Sequence, residues 1–204
     1  MSAGDFPGED ALRHRAKIEL RKRMRALRKA TPASACAARS ARLVDRLMEL
    51  EPVARARTVA LFWPIEDRHE VDLRPLDALL RPRDVRIAYP AVDAETRAMT
   101  FRFVASPDAM LDQGFGFREP AQTEPEATPG SLDVIVVPAL GVDATGHRIG
   151  YGAGYYDRTL PAYCPPAIAV VVAFDFQLLA EIPVTEGDVA ASWIVTDART
   201  LASS

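Results

Sequence analysis

The spacing of hydrophobic residues changes along the chain and divides it into two parts. Between residues 9 and 30 the apolar side chains recur every three to four positions, which predicts an amphipathic helix. The segment "TPAS" then ends this helix and starts a second one, predicted over residues 35–50. Thr31 is expected to cap the second helix and Pro32 to occupy its first helical position. The chain is therefore expected to begin with a helical pair.

From residue 58 onward, short and nearly continuous apolar segments predict strands that are covered on both faces. The predicted strands are residues 58–63, 85–90, 99–104, 133–138, 167–174 and 193–196. Helices are predicted between them at residues 73–80, 152–163 and 177–182. This alternation predicts an α/β fold, a three-layer α/β/α sandwich with a mostly parallel sheet and an N-terminal helical pair.

Length and composition restrict the class of protein. A chain of 204 residues can bury one full core, so we expect a single domain over residues 1–204, with residues 1–14 as a flexible extension. No apolar segment has membrane-spanning length, and the first residues lack the pattern of a signal peptide. Two distant cysteines and three isolated histidines form neither a disulfide framework nor a metal-ligand pattern. We expect a soluble, cytoplasmic protein without a membrane partner.

Charge is distributed unevenly. Residues 1–60 contain 14 lysines and arginines against 7 acidic residues, although the whole chain carries a net charge of −3. A basic segment is compatible with RNA binding, but the basic residues are not interleaved with aromatic ones. We therefore expect no nucleic-acid partner. The basic segment is interpreted as a solvated helix face that also supplies one or two phosphate ligands.

A glycine-rich loop follows the fourth predicted strand. Gly150, Gly152 and Gly154 alternate, and Arg148 precedes them. Alternating glycines let several N–H groups point at one anion, and a helix starting near Ala153 adds the positive end of its dipole. The pattern favours a phosphate site. The alternative is a tight turn needed only for packing, and the loop alone does not separate the two.

The longer segment "VPALGVDATGHRIGYGAGYYDRTL", residues 137–160, closely resembles the signature of the 5-formyltetrahydrofolate cyclo-ligase family. Other segments similar to the family's motifs occur in the right order. They are "KIELR" in the first helix, "EVD" after the first strand, "GFGFREP" at 114–120, "AFDFQ" at 173–177 and "PVTEGDVAASWIVT" at 183–196. The resemblance covers residues 15–197.

This resemblance implies a Rossmann-like sandwich and an ATP-dependent reaction. The implied reaction converts 5-formyltetrahydrofolate and ATP, with magnesium, to 5,10-methenyltetrahydrofolate, ADP and phosphate. A formamide oxygen is a poor leaving group, so its phosphorylation explains why ATP is needed. The protein must then position the formyl oxygen in line with the γ-phosphate and neutralise charge.

The resemblance also implies residue roles. The catalytic charge stabiliser is Arg148. The ATP-binding residues are Lys17, Arg21, Arg148, Ile149, Gly150, Tyr151, Gly152, Ala153, Gly154, Tyr155 and Tyr156. The substrate-binding residues are Trp63, Glu70, Tyr151, Gly152, Ala153, Gly154 and Tyr155. The magnesium ligands are Asp157 and Asp188, and the enzyme is expected to be a monomer.

Several positions depart from the family pattern. Ala139 replaces a usual glycine and Val142 a usual phenylalanine, and the segment before Glu70 is longer than usual, so Glu66 competes with Glu70 for the folate role. One alternative is a family paralogue that binds nucleotide but lacks cyclo-ligase activity. Others are an RNA-binding module and a sugar-phosphate isomerase or CoA-transferase of similar layered fold.

Overall fold

The computed structural model describes residues 8–93, 95–113 and 118–203, apart from the side chain of Glu66. Three helices open the chain, namely α1 (Glu9–Ala30), α2 (Ala33–Glu49) and α3 (Glu51–Arg55). The predicted helical pair is confirmed. Residues 9–14 belong to α1, whereas residues 1–7 lie outside the described residues, so the flexible extension stays a prediction.

The predicted cap of α2 is wrong. Pro32 lies at the N-cap, one position earlier than expected, and no side chain caps the helix. Thr31 instead ends α1, and its hydroxyl donates to the Leu27 carbonyl at 2.9 Å. The hydroxyl satisfies one of the unpaired carbonyls at the end of the preceding helix. It is therefore turned away from the first N–H groups of α2.

Within the described ranges, two further α-helices and twelve strands complete the fold. The helices are α4 (Arg74–Leu80) and α5 (Tyr155–Tyr163). The first six strands are β1 (Thr58–Ala60), β2 (Arg86–Val92), β3 (Met99–Phe103), β4 (Leu111–Asp112), β5 (Arg118–Glu119) and β6 (Val134–Pro138). The others are β7 (Gly141–Asp143), β8 (Arg148–Ile149), β9 (Ile168–Val172), β10 (Leu178–Leu179), β11 (Trp193–Val195) and β12 (Thr200–Ala202).

The main sheet has the strand order β12–β11–β9–β6–β1–β2–β3. Its interior pairs are parallel, and the edge strands β3 and β12 are antiparallel to their neighbours. The chain moves from β1 to β2 on one side and later places β6 on the other side of β1. The order therefore reverses between β1 and β6, which is the position where open α/β sheets bind ligands.

Side chains of the central strands alternate between two cores. In β6, Val134 and Val136 pack into the core formed with α2, α3 and α4, whereas Ile135 and Val137 pack into the core formed with α5. Burial on both faces explains the nearly continuous apolar sequence of this strand. The three-layer sandwich with a mostly parallel sheet is confirmed.

A small second sheet, β10–β7–β8, lies between the carboxyl end of β6 and the glycine loop. The helix predicted at residues 177–182 is wrong, because residues 175–177 form a single 3₁₀ turn and β10 pairs in parallel with β7. The buried side chain of Gln177 accepts from the Phe174 N–H at 3.0 Å and donates to the Leu140 carbonyl at 2.6 Å. These side-chain bonds to the backbone compete with helix formation.

Across the described ranges, we find no helix with the length and apolar character needed to cross a membrane.

Candidate active site

A cleft of about 280 Å³ opens at the carboxyl end of β6, where Pro138 forms part of its wall. We call it the phosphate cleft. It lies beside the point where the strand order reverses, as expected for a ligand site in this class of sheet. Most predicted ATP and metal ligands meet in it. They are Lys17, Arg21, Arg148, Gly150, Tyr151, Gly152, Ala153, Gly154, Tyr155, Tyr156, Asp157 and Asp188.

The glycine loop of residues 150–154 has a backbone shape that requires glycine at two positions. Gly152 and Gly154 have φ angles of +104° and +68°, in the left-handed region that other residues rarely adopt. A Cβ at Gly154 would also lie 2.8 Å from a guanidinium nitrogen of Arg158. Gly154 is the N-cap of α5, so the positive end of that helix opens beside the cleft. The loop and helix together can bind an anion.

One face of α1 runs along this loop. Lys17, Arg21, Arg25 and Arg28, which we call the α1 cation row, are spaced by three or four residues and therefore share that face. Arg21 donates to the Gly150 carbonyl at 3.1 Å, and Arg25 donates to the Tyr151 carbonyl at 3.2 Å. Arg28 donates to the Tyr151 hydroxyl. The cation row thus holds α1 against the loop.

Two ion pairs lie in the cleft, and each joins a predicted phosphate ligand to a predicted metal ligand. Lys17, with a side chain 6% exposed, pairs with Asp188 and donates to the Thr185 hydroxyl at 2.7 Å. Arg148, with a side chain 3% exposed, pairs with Asp157 at 2.6 Å. Each of these buried cations is therefore neutralised by a carboxylate.

The Lys17–Asp188 pair affects acid–base behaviour. Burial alone would raise the pKa of Asp188, but hydrogen bonds from Lys17 and from the Thr185 N–H outweigh it and lower the pKa below the ordinary value. Asp188 is thus held in its ionised form, which is the form that binds a cation.

The two carboxylates of the cleft, Asp157 and Asp188, are of the chemical type that binds magnesium. No group of three or more histidine, cysteine or acidic side chains suited to a metal occurs within the described ranges. Magnesium bound to a nucleotide needs only one or two carboxylates, since phosphates and waters complete its octahedron. Asp157 uses Oδ1 for both Arg148 and the Val189 N–H, and its Oδ2 has no hydrogen bond within the described part of the chain. Asp157 and Asp188 therefore fit such an ion.

Glu70 lies behind the phosphate cleft and does not line it. Its carboxylate is buried, accepts from the Ile65 N–H at 2.9 Å and accepts from the Tyr151 hydroxyl. Burial, followed by the charge of Glu70, raises the pKa of Tyr151 to about 12. The same two causes raise the pKa of Tyr156, which lines the cleft. Tyr151 thus both contacts Glu70 and lines the cleft.

Other predicted residues lie away from the cleft. Trp63 is half-buried against the core under α2 and α4, with its ring edge-on to Tyr89 at 6.0 Å. The guanidinium groups of Arg74 and Arg118 lie 5.9 and 5.8 Å from the Trp63 ring. Ile149 packs in a small core with Met24 and Leu140. The side chain of Glu66 and residues 114–117 of "GFGFREP" lie outside the described residues.

Two residues at the site were missed by the sequence analysis. Arg28 is buried between Tyr151 and Glu70, and its spacing continues that of Lys17 and Arg21, which was the available signal. Thr185 binds both Lys17 and Asp188, but nothing in the local sequence distinguishes it from other threonines.

The sequence model of the 5-formyltetrahydrofolate cyclo-ligase family matches residues 13–197. The chain belongs to this family. The resemblance over residues 15–197 is thereby confirmed, and the matched range includes the residues that line the phosphate cleft.

Relatives and solved structures agree with this assignment. A 5-formyltetrahydrofolate cyclo-ligase of Escherichia coli strain K12 is 31% identical over 157 residues, covering 76% of this chain and 85% of that protein. One of Mycolicibacterium smegmatis is 45% identical over 94 residues, an alignment that spans 48% of that protein and 46% of this chain. The 5,10-methenyltetrahydrofolate synthetase of Aquifex aeolicus superposes with a TM-score of 0.78 at 30% identity, covering 91% of this chain and 92% of that one.

Proposed function

We propose that this protein converts 5-formyltetrahydrofolate and Mg-ATP to 5,10-methenyltetrahydrofolate, ADP and phosphate in the phosphate cleft. One observation carries the proposal. In a chain of this family, two buried cations, Lys17 and Arg148, and two carboxylates, Asp157 and Asp188, meet beside a glycine loop at the N-terminus of α5. This combination suits a nucleotide triphosphate with its metal.

The chemistry requires a phosphoryl transfer followed by ring closure. The formyl oxygen attacks the γ-phosphorus, and the bond from that phosphorus to the β,γ-bridging oxygen breaks to release ADP. N10 then attacks the activated formyl carbon and loses its proton, and the carbon–oxygen bond breaks to release phosphate. Such a transfer needs positioning and charge neutralisation more than a protein nucleophile.

Lys17 and Arg148 carry the charge neutralisation in this proposal. When phosphates arrive, both cations exchange their carboxylate partners for phosphate oxygens, and Arg148 stabilises charge on the transferred group. Asp157 and Asp188 are thereby released and would hold magnesium, which supplies additional neutralisation of the phosphates. Each buried charge therefore has a partner of opposite charge both before and after the phosphates bind.

In this proposal Glu70 binds the folate, and we call the region around Glu70 and Trp63 the folate half of the site. The buried carboxylate of Glu70 is suited to accept the N–H donors of the aminopyrimidine edge, for which the Tyr151 hydroxyl must leave Oε1. Gly152 to Tyr155 contact both ligands, since the reaction brings them together. Trp63 is proposed to pack on the pterin or the glutamyl portion.

We further propose that the enzyme acts as a cytoplasmic monomer, without a nucleic-acid or membrane partner. Arg21, Arg25 and Arg28 of the α1 cation row bind the glycine loop and Lys17 binds Thr185, so this row faces the proposed phosphate site.

A direct assay tests the proposal. The purified protein is mixed with 5-formyltetrahydrofolate and Mg-ATP at neutral pH, where acid does not close the ring, and the ultraviolet absorbance of the methenyl product is followed. We expect product only when ATP and magnesium are both present, with one ADP formed per product. ATP binding without product would instead favour the paralogue that has lost the reaction.

A further inference from the structure

Arg28 ends the α1 cation row and is the member of that row nearest to Glu70. Its side chain is 4% exposed, and one of its nitrogens lies 3.7 Å from the Glu70 carboxylate. The same nitrogen donates to the Tyr151 hydroxyl, and the guanidinium carbon lies 5.6 Å from the centre of the Tyr151 ring. Arg28 therefore contacts both Glu70, the proposed folate ligand, and Tyr151, which lines the phosphate cleft.

Glu70 depends on Arg28 for its charge balance. The Glu70 side chain is only 6% exposed, and a buried carboxylate is costly unless a cation compensates it. Within the described part of the chain, Arg28 is the cation that lies within 4.0 Å of this carboxylate. Arg25 and Arg68 also lie near the Tyr151 ring, at 5.5 and 4.8 Å, but both are solvent-exposed and screened by water.

The contacts with Glu70 and Tyr151 do not satisfy the whole guanidinium group of Arg28. Its Nε is buried and, like the Nε of Arg102, has no hydrogen-bond partner among the described residues. An unsatisfied buried donor destabilises the folded state. The role of Arg28 therefore rests on its contacts with Glu70 and Tyr151.

We infer that Arg28 is a positioning residue for folate binding, acting through Glu70 and Tyr151. This inference rests on the proposed function and names the residue that prepares its folate half. The aminopyrimidine edge of a folate donates two N–H groups, so its acceptor must be an ionised carboxylate in a fixed orientation. Arg28 supplies the positive charge that compensates the Glu70 carboxylate. It also donates to the Tyr151 hydroxyl, which in turn donates to Glu70 Oε1 until the folate binds there.

Three variants test this role. Arg28→Met removes the charge and keeps most of the stem, Arg28→Lys keeps the charge but loses the planar fork, and Arg23→Met makes the matched change at an exposed position of the same helix. The readouts are the Kd of 5-formyltetrahydrofolate by calorimetry without ATP, and the KM values for folate and ATP measured separately.

For Arg28→Met we expect the folate Kd and KM to rise about tenfold to a hundredfold, the loss expected when a hydrogen-bonded charge is removed. The KM for ATP should change much less than the KM for folate, since Arg28 does not itself line the phosphate cleft and reaches it only through Tyr151. Arg28→Lys should recover part of the loss, and Arg23→Met should match wild type. A merely structural role would change both KM values together.

Wild-type folate affinity in a folded Arg28→Met, or an equal rise of both KM values, would overturn the inference alone. If thermal unfolding shows that Arg28→Met does not fold, Arg28→Gln, which also removes the charge, decides, and an unchanged folate affinity in that variant overturns the inference. A wild-type protein that neither binds nor converts 5-formyltetrahydrofolate overturns the proposed function, and the inference with it.

Discussion

The phosphate half and the folate half of the site differ in how they are assembled. In the phosphate half, Lys17, Arg148, Asp157 and Asp188 already face one cleft and neutralise one another in two ion pairs. In the folate half, Glu70 is buried behind Tyr151 and does not line the cleft. To bind phosphates, Lys17 and Arg148 need only exchange their carboxylate partners for phosphate oxygens. To bind folate, Glu70 needs the Tyr151 side chain to move away. On the proposed assignment, the nucleotide site is therefore largely formed in advance, and the folate site is completed by its ligand.

The largest effect should come from Arg148, because it belongs to the preformed half. Arg148→Ala should lower kcat by about two to three orders of magnitude if its charge stabilises the transferred phosphoryl group. The assay is the steady-state formation of methenyl product at saturating substrates. Arg55→Ala is the matched control. Arg55 pairs with Glu51 on the surface, its side chain is 79% exposed, and the variant should retain wild-type kcat. A fall in kcat of less than about tenfold would remove Arg148 from the catalytic role.

Asp157→Asn tests whether the carboxylates of the same half hold the metal. We expect turnover at limiting magnesium to fall about tenfold to a hundredfold and to recover in part at saturating magnesium, since one charged ligand is lost while the side-chain shape is kept. The measurement is a magnesium titration of the initial rate. Unchanged rates at limiting magnesium would exclude Asp157 from the metal site.

Glu70→Gln tests the folate half. The KM for 5-formyltetrahydrofolate should rise about tenfold, because an amide cannot accept both N–H donors of the aminopyrimidine edge as a carboxylate does. The KM for ATP should be unaffected. Glu66→Gln is the comparison variant, and an effect confined to that variant would assign the folate role to Glu66.

The smallest expected effect is that of Asp188→Asn on the pH dependence of thermal stability. The pKa of Asp188 is lowered in the folded protein, so its ionised form contributes stability above the unfolded pKa, and this contribution is lost as pH falls through the folded pKa. The Tm difference between wild type and Asp188→Asn should therefore be greatest near neutral pH, by about a few degrees, and should shrink below about pH 4. A Tm difference that stays constant from pH 7 to pH 3 would contradict a stabilising role of the ion pair between Lys17 and Asp188.

Local patterns predicted the sheet better than its connections. The β6 and β9 segments are continuous apolar sequences because both of their faces are buried, and this signal is visible without any tertiary information. Residues 177–182 misled the prediction because their helical spacing does not reveal that the Gln177 side chain binds the backbone at Phe174 and Leu140.

The site was predictable to the extent that its residues are neighbours in sequence. The glycine loop and Asp157 form one motif, so their chemistry was interpretable from spacing. The Lys17–Asp188 pair joins residues 171 positions apart, and only the family resemblance connected them. Arg28 was missed because α1 contains nine lysines and arginines, and periodicity cannot tell which of them packs against a loop from the other end of the chain.

The long-range contacts of α1 also set an order of events during synthesis. This helix is synthesised before the sheet, yet the partners of its buried Lys17 lie at residues 185 and 188. At a translation rate of about 5–20 residues per second, Lys17 waits on the order of ten seconds for them. The sheet can begin to pair while α1 is still undocked. The Lys17 contacts are therefore among the last that α1 can form, and a nascent chain ending before residue 185 has the glycine loop but lacks the partners of Lys17.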